Sequence, residues 1–212
     1  MNMHRLIYRP SAIGWDIVVS HLLVIQHWQA APANVRLQSA DIFDKIVSTA
    51  PWSVLEEPED LQKRVQAQVL QALAQQGESH ARSQASTDVD IRRAALDTLF
   101  KVLESQGHAL VCGWTDVFNI LRSACPPAAH HHSEAEQQQG SSSTAAKTSL
   151  LVRVAFPSLQ LICSDFLAAL SESELEVCIT TLTEFGKQTD EVNVALTVSR
   201  VLRAAELNVR QD

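Results

Sequence analysis

Residues 90–103 read DIRRAALDTLFKVL, and this stretch decides the fold class. Ile91, Ala94 or Ala95, Leu99 and Val102 recur at the spacing of three and four residues that places side chains on one face of an α-helix. The small alanine side chains allow a neighbouring helix to approach closely, and the larger residues of the stretch supply bulk for a core. The stretch therefore predicts a buried helix.

Both ends of this helix carry typical signals. Thr87 or Asp88 is expected to cap the N-terminus by accepting a hydrogen bond from a free backbone amide. Gly107 is expected to adopt the left-handed conformation after the last turn.

The pattern of this helix recurs in the chain. At an offset of 56 residues, similar or identical residues align at several positions, namely Val35-Arg36 with Ile91-Arg92, Asp41 with Asp97, Lys45 with Lys101 and Ile46-Val47 with Val102-Leu103. A shorter echo occurs at Val152-Arg153. A second element recurs as Gly14-Trp15 and Gly113-Trp114, each followed by Val and Leu at helical spacing. Two different recurring elements in a helical sequence indicate structural repeats.

The remaining apolar periodicity is helical throughout, and it predicts eight helices paired as four antiparallel hairpins. The predicted hairpins are Ile13–Ala50, Asp60–Gln106, Leu110–Leu170 and Ser171–Leu207. A hydrophobic residue followed by Arg, then alanines and leucines at helical spacing, is typical of HEAT or armadillo repeats. The sequence therefore predicts an all-α, HEAT/armadillo-like α-solenoid, in which each hairpin buries its open face by stacking on the next.

The domain organisation follows from the same pattern. We expect an irregular N-terminus over residues 1–12, helical repeats over 13–124, a disordered low-complexity loop over 125–148, further repeats of the same solenoid over 149–207, and a tail over 208–212. The loop is rich in His, Gln, Gly and Ser and has too little apolar surface to fold. After it, the helical phase continues through Pro157. This predicts one kinked helix, with two short helices as the alternative.

Composition excludes several classes of protein. The formal net charge is −7, and no basic stripe interleaved with aromatic residues is present, so nucleic acid is not an expected partner. The four cysteines include no Cys-x-x-Cys pair, which favours small buried side chains in a reducing compartment. The first residues do not resemble a signal peptide. The apolar run from Ile17 to Ile25 is too short for the roughly 20 residues of a membrane-spanning helix. We expect a soluble intracellular protein.

Each residue group that resembles a chemical site has a simpler structural explanation. His130-His131-His132 lies in the flexible loop and cannot preorganise a metal site. Cys163-Ser164-Asp165 lies in a helix with core-like periodicity. The acidic turn of Glu56, Glu57, Glu59 and Asp60 suits a solvated helix N-terminus, and Trp15 and Trp114 suit core anchors. The sequence predicts no catalytic, cofactor or metal site, and a metal or thiol enzyme would require the histidines or Cys163 to be ordered and convergent.

Two segments resemble a known family. Residues 151–167, LVRVAFPSLQLICSDFL, and residues 190–197, DEVNVALT, resemble blocks of the monensin-sensitivity (Mon-two) scaffold family. Residues 95–103 with Gly113-Trp114 are similar to HEAT-repeat regions that this family shares with the large Arf guanine nucleotide exchange factors. The resemblance covers most of residues 14–202 and weakens after Thr197.

The resemblance implies a non-enzymatic scaffold in endosome-to-Golgi and Golgi vesicle-mediated protein transport. Such a protein is cytoplasmic and associates peripherally with Golgi and endosome membranes. The partners implied are a Dopey-type protein, a phospholipid flippase and Arf-like GTPases. Members are several times longer than this chain. The alternative is a regulatory HEAT-repeat segment of a large Arf exchange factor, which acts on catalysis elsewhere in its chain.

Overall fold

The computed structural model describes residues 13–48, 59–78, 85–125, 141–188 and 191–209. Regular secondary structure in these ranges is helical, and they contain no strand. The α-helices are α1 Ile13–His27, α2 Ala33–Ser48, α3 Glu59–Glu78, α4 Ser86–Gln106, α5 Trp114–Arg122, α6 Ser141–Leu161, α7 Glu172–Gly186 and α8 Val192–Val209. A 3₁₀ turn (Gly107–Ala109) follows α4, and a π turn (Ile162–Phe166) and a 3₁₀ turn (Leu167–Ala169) follow α6.

The helices form two layers of stacked hairpins. Within the hairpins, α1 packs on α2, α3 on α4, α5 on α6 and α7 on α8. Between hairpins, the odd-numbered helices contact each other in the order α1, α3, α5, α7, and the even-numbered helices in the order α2, α4, α6. This arrangement is an α-solenoid, so the predicted fold class is confirmed.

One hydrophobic core runs between the two layers. Its large, fully buried side chains come from several helices, and Phe43, Leu99, Phe118 and Phe185 are examples from four of them. Phe185 of α7 stacks on Phe156 of α6 with the ring centroids 6.2 Å apart. Each fully buried side chain of this size contributes about 1.5–3 kcal/mol, so a few at each junction hold neighbouring hairpins together.

The first hairpin exposes positions that the second hairpin buries. Ile91 and Thr98 of α4 are 1% and 0% exposed, whereas the equivalent residues of α2, Val35 and Ile42, are 40% and 42% exposed. Among the described helices, α4 lies between α2 and α6, but α2 has an even-numbered neighbour on one side only. The alignment of Val35 with Ile91 in the sequence therefore does not extend to equal burial.

Both predicted ends of α4 require correction. The helix begins at Ser86 after Ala85, so Thr87 and Asp88 lie inside the first turn, and Asp88 is buried. Gly107 is right-handed, with φ −56° and ψ −36°. A Cβ at this glycine would lie 2.3 Å from Cζ of Phe166, so the residue serves the close approach of a ring rather than a left-handed turn. The left-handed glycine is Gly113, with φ 85°, directly before α5.

Helix α6 differs from its prediction at one end. It runs through Pro157 as one helix, so the alternative of two short helices is wrong. It begins at Ser141 rather than Ser149, within the stretch expected to be a loop. Because no Gly or Pro occurs between Gly140 and Pro157, residues 141–148 contain no helix breaker despite their low complexity. Residues 126–140 lie outside the described ranges, as do residues 1–12. Helix α8 extends to Val209, into the predicted tail.

Candidate functional site

Those residues of the candidate chemical sites that the structure describes do not converge. Within the described ranges, no group of three or more His, Cys, Asp or Glu side chains is placed to hold a metal ion. His130, His131 and His132 lie outside these ranges, as do Glu56 and Glu57. Asp60 is exposed in the first turn of α3, and Ser164 and Asp165 are exposed in the π turn.

Trp114 is a core residue, as its position suggested. Its side chain is buried, and its ring lies 5.8 Å from that of Phe166. His108 meets the same phenylalanine edge-on at 4.9 Å. The side chain of Trp15 lies outside the described part of the chain.

Ion pairs connect successive hairpins. The buried Arg36 of α2 pairs with the buried Asp88 of α4, and its Nε donates to the carbonyl oxygen of Gln26 at 2.7 Å. Arg122 of α5 makes a two-pronged pair with Glu184 of α7 at 2.9 and 3.0 Å. These contacts fix the register of one hairpin on the next.

Two further arginines extend this pattern. Arg153 of α6 pairs with Glu191, which directly precedes α8, at 2.8 Å. Arg92, the repeat equivalent of Arg36, is also buried, and it donates to the carbonyl oxygen of Ser123 at 2.6 Å. The recurrence of Val-Arg and Ile-Arg was visible in the sequence, but the burial of both arginines was not.

Glutamines of α3 hold the connection that leads into α5. The Nε2 of Gln66 donates to the carbonyl oxygen of Ala109 at 2.7 Å, and its Oε1 accepts from the amide of Val111 at 2.9 Å. Gln62 donates to the same carbonyl at 3.1 Å. Helix α3 is rich in Gln, and two of these side chains, Gln66 and Gln76, are buried. The contact of Gln66 with the connection to α5 is therefore not evident from composition.

Asp44 is a partly buried carboxylate between three helices. Desolvation raises its pKa from 3.8 to about 6, and the nearby side chains of Thr98, Gln76 and Lys101 limit that rise. The carboxylate of Asp41, which also raises this pKa, is exposed and pairs with Lys45.

A cavity of about 610 Å³ lies where α4, α6, α7 and α8 meet. Its wall is mainly apolar, with Phe100, Phe156, Leu161, Leu182 and Val198. Cys163 also lines the cavity.

Apolar side chains are also exposed at the surface. One such group lies on and just after α1, where Ile17, Val24 and Trp28 are exposed at helical spacing. Separately, the stretch Ser149–Ala169 is long and apolar enough to cross a membrane by length and composition alone. Core helices pass the same test, and Leu151, Ala155 and Leu159 of this stretch are buried in the solenoid core.

Comparison with curated proteins finds similarity along most of the chain. The human protein MON2 homolog is 26% identical over 198 residues, which is 93% of this chain. The fission yeast (Schizosaccharomyces pombe) and Drosophila melanogaster MON2 homologs are 36% and 30% identical over 110 and 108 residues, about half of it. The chain resembles the MON2 homologs.

The chain spans only 5–10% of the length of these MON2 homologs. No protein-family model matches it, and no solved structure matches it. The similarity to MON2 homologs therefore concerns one short segment of long proteins. It agrees with the resemblance noted from residues 151–167 and 190–197.

Proposed function

We propose that the chain is a segment of a non-enzymatic scaffold in endosome-to-Golgi and Golgi vesicle-mediated protein transport, and that it acts through protein–protein contacts. The observation that carries this proposal is the similarity to the human MON2 homolog along 93% of the chain. The two-layered solenoid supports it, because stacked hairpins present long continuous surfaces to partners.

The proposed location is the cytoplasm and the periphery of Golgi and endosome membranes. The partners proposed from the family resemblance are a Dopey-type protein, a phospholipid flippase and an Arf-like GTPase. Exposed apolar side chains such as Val24 and Trp28 are suitable contact residues, since clusters of this kind mark interaction surfaces. The net charge of −7 argues against nucleic acid as a partner.

The first experiment tests location and partners together. The tagged chain is expressed in cells, imaged with Golgi and endosome markers, and recovered for mass spectrometry beside a tag-only control. We expect membrane-associated signal and enrichment of the three partner classes. Trp28→Ser and Ile179→Ser alter similarly exposed side chains in the first and fourth hairpins, so loss of a partner with one variant alone locates the contact. A dispersed signal with none of these partners, repeated with the complete gene product, contradicts the proposal.

The second experiment tests the absence of catalysis and the alternative class. Purified chain is added to a nucleotide-loaded Arf GTPase, and nucleotide release is expected to stay at the basal rate. Faster release contradicts a non-enzymatic role. The gene sequence that flanks this segment separates the scaffold from an exchange factor, because an exchange domain upstream favours the alternative and repeats alone favour the scaffold.

A further inference from the structure

The stacking of the even-numbered helices is interrupted at the last junction. Helix α2 packs on α4 and α4 packs on α6, but among the described residues α8 packs on α7 without a comparable contact to α6. The cavity of about 610 Å³ lies at this interruption, with Phe156 of α6, Leu182 of α7 and Val198 of α8 in its wall. These three side chains are 9%, 6% and 1% exposed, so the cavity reaches into the core between the third and fourth hairpins.

The wall of this cavity favours an apolar group over a charged one. None of the described residues that line it is an Asp, Glu, Lys, Arg or His. An ion inside the cavity would lose its hydration without gaining a partner of opposite charge, which is costly. Water also gains few hydrogen bonds against such a wall, because a buried water molecule needs two to four polar partners. A hydrocarbon group meets neither cost.

The polar part of the wall lies at the side that faces solvent. Gln160 of α6 and Ser164 of the π turn line the cavity and are exposed, and Cys163 between them and the core is half-buried. A ligand with an apolar chain and a polar head can therefore bury the chain against Phe156 and Leu182. Its head then stays in water beside Gln160 and Ser164.

The size of the cavity separates a small ligand from a protein partner. Its volume is in the range of sites for small molecules. A partner helix is about 10–12 Å across with its side chains, so this cavity would hold less than about two of its turns. The cavity therefore suits one extended chain better than a docked helix.

We propose that this cavity binds a single hydrocarbon chain of the fatty-acyl type, with the polar head of the ligand at the edge formed by Gln160 and Ser164. The chain belongs either to a free fatty acid or to a membrane lipid. The bound chain would fill the space in which α6 and α8 do not pack, and so join the third hairpin to the fourth. The proposal is independent of the role of the chain in transport.

The first test measures affinity as a function of ligand length. Octanoate, decanoate and dodecanoate are titrated into the purified protein by calorimetry, each below the concentration at which it forms micelles. We expect saturable binding at one site, with an affinity that rises about fourfold for each methylene added, because each one buries further apolar surface.

The second test locates the ligand through Cys163. The protein is treated with iodoacetamide with and without dodecanoate, and alkylation of each cysteine is followed by mass spectrometry with peptide fragmentation. Cys163 is a free, half-buried thiol in the cavity wall, so we expect its alkylation to slow in proportion to occupancy. Cys112 and Cys125 are also half-buried and free but do not line the cavity, and their rates should not change.

A bulky side chain at the mouth of the cavity supplies a matched pair of variants. Ser164→Trp places a large ring at an exposed lining position, and we expect it to weaken dodecanoate binding by about fifteenfold or more, the loss for two displaced methylenes. Ala168→Trp adds a similar ring at an exposed residue four positions later that does not line the cavity, so it should bind as the unaltered chain. Gln160→Trp replaces Ser164→Trp if circular dichroism shows that the latter does not fold.

Vesicles of phosphatidylcholine distinguish the two sources of the chain. Protection of Cys163 by these vesicles as well as by dodecanoate identifies membrane lipid as a source. Protection by dodecanoate alone identifies a free fatty acid, and both results support the site.

Four results would overturn the proposal. The first is an absence of saturable binding, or an affinity that does not depend on ligand length. The second is alkylation of Cys163 that dodecanoate does not slow, or that is already as slow as at the buried Cys178 without ligand. The third is equal affinity of the Ser164→Trp and Ala168→Trp variants. The fourth is loss of binding in Trp28→Ser but not in Ser164→Trp, which would place the ligand on the exposed apolar surface of the first hairpin.

Discussion

Asp88 and Arg36 belong to different hairpins, and their side chains are only 1% and 6% exposed. Removing one partner of a buried ion pair leaves the other charge desolvated, which costs about 3–5 kcal/mol. We expect Asp88→Ala to lower the free energy of unfolding by about this amount in urea titrations followed by circular dichroism. Asp41–Lys45 is the matched control, with side chains 60% and 72% exposed, and Lys45→Ala should cost at most about 1 kcal/mol. Equal effects at the two pairs would refute a structural role for Arg36–Asp88.

Asp44 gives the stability of the chain a dependence on pH. The pKa of this carboxyl is 3.8 in the unfolded chain and about 6 in the folded chain. Ionisation of Asp44 therefore destabilises the folded state as the pH rises between these values. Above the folded-state pKa, this effect lowers the free energy of unfolding by at most about 3 kcal/mol. Asp44→Asn removes this cost, and we expect a gain in stability over the unaltered chain that is near zero at about pH 4 and largest at about pH 7. The exposed Asp41→Asn controls for the lost charge, and a gain for Asp44→Asn that does not change with pH would count against desolvation as the cause.

Between elements, Gly107 allows the end of α4 to meet Phe166 of the next hairpin. An added Cβ would lie 2.3 Å and 2.8 Å from two ring atoms of Phe166. Overpacking of this kind costs about 1–3 kcal/mol, so Gly107→Ala is expected to lower the free energy of unfolding by that amount. Gly77→Ala is the control, because its Cβ would lie 3.6 Å from the nearest neighbouring atom, Cγ2 of Ile120, and alanine favours a helix interior by about 0.5–1 kcal/mol. In a Phe166→Leu background the cost of Gly107→Ala should shrink, and an unchanged cost would assign it to another contact.

The helices themselves follow from the sequence, but several contacts between them do not. Apolar spacing identified α4 and the hairpin pairing, because a helix must bury its apolar face. Apolar spacing does not predict the burial of Gln66, because its partner, the carbonyl oxygen of Ala109, lies 43 residues away in the sequence. Apolar periodicity also does not reveal the π turn at Ile162–Phe166.

For the whole molecule, the stacked arrangement predicts unequal stability along the chain. Helix α4 packs against α2, α3, α5 and α6, whereas the described contacts of α1 and α8 lie toward one neighbouring side. In a solenoid, local stability depends on the junctions that a repeat makes. Hydrogen exchange measured by mass spectrometry should therefore show the strongest amide protection in α4 and earlier exchange in α1 and α8. Equal protection along the chain would indicate instead that the whole chain unfolds as one cooperative unit.

The ion pairs between hairpins also give the array a head-to-tail polarity. In Arg36–Asp88, Arg122–Glu184 and Arg153–Glu191 the cation comes from the earlier hairpin and the carboxylate from the later one. A hairpin inserted backwards would set arginine against arginine and acid against acid at these junctions, and like charges in contact repel. A duplicated or transplanted hairpin can therefore pack on its neighbours in one orientation only. The placement of the charges thus determines the order of the hairpins as well as the strength of the contacts between them.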